Sequence, residues 1–143
     1  MIYTYDPKLL LVTFGGIPLT GFADGTFLAV VRNSDMFSEV TGADGETSRA
    51  KSNDRSGLAT ITLKQTSPSN DVLSAFALAD EEANAGVRTF MAKDALGTSL
   101  FFSAFAYVKK IPDSAFGKEI NNREWSLFLS DLRVLVGGNV PQV

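Results

Sequence analysis

The sequence predicts a mainly β, α+β domain: an antiparallel β-sandwich or small barrel with one flanking α-helix. Three observations carry this. Residues 58–65 (LATITLKQ) alternate apolar and polar side chains at the period of a half-buried strand. Several apolar or aromatic runs are punctuated by Gly-Gly, Asp-Gly and similar turn dipeptides. Only one segment, after residue 66, carries helix start and stop signals. At 143 residues the chain is read as a single domain over 1–143.

Residues 8–14 (KLLLVTF) form a short apolar run ending at Gly15-Gly16, a strand and its turn. The glycine-rich stretch 15–21 lacks the GK[ST] ending of a phosphate loop and precedes no helix, so it reads as a turn. Residues 27–32 (FLAVVR) are a second strand, entered through Asp24-Gly25. Residues 33–57 are polar and aperiodic, a long loop or a protruding hairpin; an excursion of that length is commonly functional or mobile. In the next strand Ala59, Ile61 and Leu63 share the core face and Thr60, Thr62 and Lys64 the other.

The helix begins with Ser67 as N-cap and Pro68 in the first turn, with Asp71 near the positive dipole end. Leu73, Phe76, Ala77 and Asp80 share a face, and Asn84 or Gly86 ends it. Residues 87–93 and 98–109 read as a hairpin around Asp94-Ala95-Leu96-Gly97. Uniform alternation puts Leu100, Phe102, Ala104, Ala106 and Val108 on one face and Phe101, Phe105 and Tyr107 on the other. Residues 125–136 (WSLFLSDLRVLV) are the last strand, with Leu127 and Leu129 opposing Phe128, Leu132 and Val134. Two strands apolar on both faces need cover on both, from within the molecule or from neighbouring copies.

Composition excludes whole classes of chemistry. With no cysteine and no histidine there are no disulfides, thiolate reactions, CxxC zinc sites or His-based mechanisms. Carboxylates are plentiful, yet no spacing selects a catalytic pair. Asp44, Glu46 and Asp54 lack EF-hand spacing and are interrupted by Arg49, Lys51 and Arg55. No enzyme activity, cofactor or metal is expected. The net charge of −3 disfavours a protein that grips DNA phosphates but allows DNA to pass. No stretch reaches the length of a membrane helix and the N-terminus is not a signal peptide, so a soluble, cytoplasmically made protein is expected.

An ordered set of segments resembles the tail tube proteins of contractile-tailed, myovirus-type phages. They are GFADGTFLAVVRNSDMF, VTGADGETSRAKSNDRSGLATITLKQTSPSNDVLS, KDALGTSLF and FGKEINNREWSLFLSDL, with GGN near the end, together spanning about residues 20 to 139. The resemblance implies the fold shared with type VI secretion tube proteins, and hexameric rings stacked into a hollow tube inside a contractile sheath. The implied partners are other copies of the chain, the sheath protein, a tape measure protein in the lumen, and baseplate and tail terminator proteins. DNA is met only in passage and no membrane is involved. The implied place is the virion, with assembly in the bacterial cytoplasm. On this basis Asp44, Glu46, Arg49, Lys51, Asp54 and Arg55 are candidates for the inter-ring contact, and reversing Arg49 and Arg55 to glutamate should stop rod growth. Thr60, Thr62 and Lys64 are candidates for the lumen wall. The competing readings are another contractile-injection tube subunit or tail adaptor, and a small monomeric β binding module.

Overall fold

The computed structural model describes residues 1–142. After a 3-10 turn at Pro7–Leu9 the elements run β1 (Leu10–Phe14), β2 (Ile17–Pro18), β3 (Leu28–Arg32), β4 (Phe37–Thr41), β5 (Thr47–Lys51), β6 (Gly57–Lys64), α1 (Ser69–Ala83), β7 (Arg88–Asp94), β8 (Leu100–Lys110), β9 (Asn122–Leu129) and β10 (Leu132–Leu135). One antiparallel sheet has the order β2-β1-β7-β8-β9-β6-β3, with β10 on β8; β4 and β5 form a separate two-stranded sheet. The expected mainly β fold with one flanking helix is what is seen.

The sheet curls on itself, and residues 19–23 join its edges. The Leu19 N–H donates to the Val12 carbonyl of β1 (2.8 Å), the Ala23 N–H to Thr62 of β6 (3.0 Å), and the Lys64 N–H to Gly21 (2.9 Å). This corrects the reading of 15–21 as a turn alone. Gly15 and Gly16, at φ +63° and +79°, do make the turn, but the strand-like residues beyond them close the barrel. Gly21 is required there: its φ is +73°, and a Cβ would stand 2.5–2.6 Å from the Ser67 side chain.

Core side chains come from every wall. Val12, Phe14, Ala59, Ile61, Leu63, Phe90, Ala92, Leu127, Leu129 and Leu132 are essentially inaccessible, and Trp125 is 2% exposed. The face predicted for β6 is therefore the buried one. Replacing Ile61 by alanine should cost about 2–5 kcal/mol in a denaturant melt, whereas Thr60→Ala on the outer face should cost about 0.5 kcal/mol or less. Equal losses at the two positions would contradict the assignment.

The helix lays Leu73 and Ala77 into the core, and Phe76 meets Phe14 edge-on at 5.1 Å. The helix starts one residue later than expected, with Pro68 and not Ser67 at the N-cap and no side-chain cap bond there; the Ser67 Oγ accepts the Ser69 N–H (3.2 Å) and donates to the Thr20 carbonyl. Asn84, at φ 54° and ψ 38°, ends the helix. Asn70 ties the helix to the sheet, accepting the Trp125 indole N–H (2.9 Å) and donating to the Lys64 carbonyl (2.9 Å).

β8 departs from uniform alternation. Phe101, Ser103, Ala106 and Val108 face the core, while Ala104 and Phe105 are both exposed, Phe105 at 62%. The cause is a bulge: the β7–β8 register slips by one residue between Arg88 and Phe90, which resets the face of β8. The partner strand breaks in the same row. Leu129 faces Ala106 and Leu132 faces Ser103, so β9 and β10 are one strand in one register along β8, interrupted at Ser130-Asp131. Leu132 therefore shares the buried face of Leu127 and Leu129, not the face of Phe128 as alternation predicts.

Candidate assembly interface

The hairpin leaves the sheet between Arg32 and Gly57, which face each other at the end of the β3–β6 ladder. Its strands pair Phe37 with Lys51, Glu39 with Arg49 and Thr41 with Thr47. Directly paired residues share a face. One face thus carries Phe37, Glu39, Arg49 and Lys51, and the other the small residues Ser38, Val40, Ser48 and Ala50. The tip is a turn with Gly45 at φ +89°, where the Asp44 carboxylate accepts the Glu46 N–H (3.2 Å). Arg49 lies over the Phe37 ring at 4.1 Å.

The six charged candidates therefore separate into three places. Asp44 and Glu46 are at the exposed tip, and Arg49 and Lys51 are exposed on one face. Asp54 and Arg55 are at the root. The Arg55 guanidinium stands 3.7 Å from Asp131, and its carbonyl accepts the Leu132 N–H (2.8 Å). Asp54 accepts hydrogen bonds from the Ser56 hydroxyl (2.7 Å), the Ser34 hydroxyl (2.7 Å) and the Ser56 N–H (3.0 Å). The Ser56 and Ser34 hydroxyls, then the Ser56 N–H and the Arg32 charge, hold its carboxyl down at about 2 from the ordinary 3.8. What this lowered value contributes is complete above the ordinary value and is lost as pH falls toward about 2. Glu39, opposite Arg49, escapes sequence reasoning because only the pairing register brings the two together.

The outer face of the sheet has two chemically different halves. On β6, Thr60, Thr62 and Lys64 point outward as expected. Register sets them beside Ser126, Glu124 and Asn122 of β9. That row is polar, and Glu124 offsets the charge of Lys64. The other half is largely apolar: Met91 of β7 and Arg133 of β10 flank Phe102 of β8, Tyr107 stacks on Phe128 at 5.3 Å, and Phe105 is 62% exposed. A shallow groove beside Phe105 is lined by Val87, Arg88, Met91, Phe102 and Ala104. Leu135, paired with Leu100, extends the apolar half and is 56% exposed.

The family model for the bacteriophage PhiTE tail tube protein matches residues 20–137. Structural protein ORF10 of Pseudomonas phage KPP10 is 37% identical over 144 residues, covering 95% of this chain and 83% of that protein. Two cryo-EM structures share the fold at low identity. The anti-feeding prophage tube-terminating cap has a TM-score of 0.64 at 13% identity, covering 94% of this chain and 93% of its own. The PVC sheath/tube terminator of an extracellular contractile injection system, in the extended state, has 0.65 at 12% identity, covering 94% and 99%.

Proposed function

The chain belongs to the family of the bacteriophage PhiTE tail tube protein, and from that premise we propose that it is the tube subunit itself, closing into hexameric rings that stack into the DNA channel inside a contractile sheath. The family is one of structural proteins, not an enzyme class, and a phage tail protein is a component of the virion. Assembly in the host cytoplasm, and contact with sheath, tape measure, baseplate and terminator proteins, belong to the same reading.

The observation that carries it is the apolar half of the outer face, where Phe105 is 62% exposed and Phe102 and Phe128 are half-buried. Neighbouring copies cover this half around the ring. The edge of β3, last in the sheet order and next to β6, is available for strand pairing with a neighbouring copy on the other side of the polar half. The polar half with Thr60, Thr62, Lys64, Glu124 and Ser126 faces the lumen. Its charges balance, so phosphates meet no cationic surface that would hold them. The hairpin, with Asp44, Glu46, Arg49 and Lys51, reaches the next ring. A contact that closes gives the ring, and one that does not close gives the filament.

Negative-stain microscopy of the purified protein across a concentration series tests this. Rods of uniform bore are expected, and a clean monomer at high concentration would favour a small binding module. The likeness to two tube-terminating structures favours a second reading, a ring that ends a tube. Isolated rings that never elongate would select it.

A further inference from the structure

The hairpin and the main sheet are out of step. The β3–β6 ladder continues to Asn33 and Ser56, where the Asn33 N–H donates to the Ser56 carbonyl (3.1 Å). The hairpin ladder begins at Met36 and Ser52, where the Ser52 N–H donates to the Met36 carbonyl (2.9 Å). In the continued registers Ser34 faces Arg55 and Met36 faces Ser52, so Asp35 on the outgoing leg is opposed by two residues, Asn53 and Asp54, on the return leg. The joint is a bulge, and a bulge re-aims the strands beyond it.

A cavity of about 250 Å3 opens beside the joint, lined by Arg32, Met36, Phe37, Lys51 and Asp54. The Arg32 Nε is buried there without a partner. What spans the joint is the Asp54 carboxylate. One oxygen takes the hydroxyl of Ser34 on the outgoing leg, and the other takes the N–H and hydroxyl of Ser56 on the return leg. Hydrogen bonds to an ionised acceptor are the strong class. An exposed carboxylate whose two oxygens are engaged within its own chain has little left to offer a neighbour.

We propose that Asp54 is a positioning residue: it pins the two legs of the hairpin at the bulge and fixes the direction in which the hairpin projects, and it does not itself touch the next ring. This rests on reading the hairpin as the inter-ring contact. Asp54→Ala should leave the barrel folded and stop rod growth. In that background the paired Met36→Cys and Ser52→Cys substitutions, in a chain with no native cysteine, should restore rods when oxidised and lose them again on reduction. Antiparallel pairs lie within the Cα separation a disulfide spans. Independently of assembly, the amides of Asn33 and Ser52 should exchange at least roughly tenfold faster in Asp54→Ala, relative to the Leu63 amide as an internal standard.

Rods lost in Asp54→Ala and not restored by the oxidised pair would mean that Asp54 contacts a neighbour directly, overturning the proposal while sparing the hairpin reading. Normal rods from Asp54→Ala, or unchanged exchange at Asn33 and Ser52, would also overturn it. The hairpin reading falls separately, if substitutions on the exposed face beyond the joint leave rods intact.

Discussion

Reversing Arg49 and Lys51 to glutamate is expected to abolish rods while leaving folded subunits whose thermal midpoint moves by only about 2 °C. Both side chains are exposed and neither sits in the core. The local loss is the stacking of Arg49 on Phe37, 4.1 Å from the ring centre, worth about 0.5–1 kcal/mol at an exposed site. The effect on assembly is far larger for two reasons. Each exposed ion pair contributes only about 0–1 kcal/mol, but a ring repeats the contact in every copy and all of them are lost together. Reversal also turns attraction into repulsion, and like charges at an interface cost more than absent ones. The same logic predicts that salt slows wild-type elongation, since exposed charges are screened beyond about 10 Å at 0.1 M. Electron micrographs showing ordinary rods from the double variant would remove the hairpin from the stacking contact. Arg55, chosen beside Arg49 on sequence grounds, is the poorer partner. A glutamate there would face Asp131 at the hairpin root, so lost rods would report a disturbed root as readily as a lost contact.

What was legible in the sequence tracked physical regularity. β6 declared its faces because alternation continues unbroken over its length, and its buried set is the predicted one. The ends of the helix were found to within one residue because its start and stop signals, Pro68 and Asn84, are local chemistry. β8 could not be read the same way. A bulge has no apolar signature, and one residue of slip moves every later side chain to the other face. The strands of the hairpin were invisible because both of its faces meet water, leaving no hydrophobic period to detect. The closure by residues 19–23 was missed because its glycines are also turn residues, and the reason for Gly21 lies in Ser67, far along the chain. The sequence set the candidate charges on one excursion but could not separate tip, face and root. That separation depends on pairing register and on Asp131, which folding alone brings to Arg55.

Phe105→Asp is expected to yield monomers at concentrations where the wild-type protein forms rods. The Phe105 ring is 62% exposed in the isolated subunit, so the fold loses little by its removal. The backbone there is set by the bulge and by Ser130, whose N–H donates to the Phe105 carbonyl (3.1 Å), and neither needs the ring. Covered by a neighbouring copy, the ring would contribute about 1.5–3 kcal/mol of apolar burial. A carboxylate in its place would also have to be desolvated, a further cost that Arg88 in the same groove offsets only in part. Each 1.4 kcal/mol is tenfold in affinity, so one lateral contact should weaken by at least about tenfold. The two variants then fail differently. Charge reversal on the hairpin leaves rings that do not stack, because the apolar half of the sheet is untouched. Phe105→Asp removes the ring itself, and light scattering should report the subunit mass. Rods from Phe105→Asp would mean that the apolar half is not where copies meet, and the greasy outer surface of β8 would need another occupant.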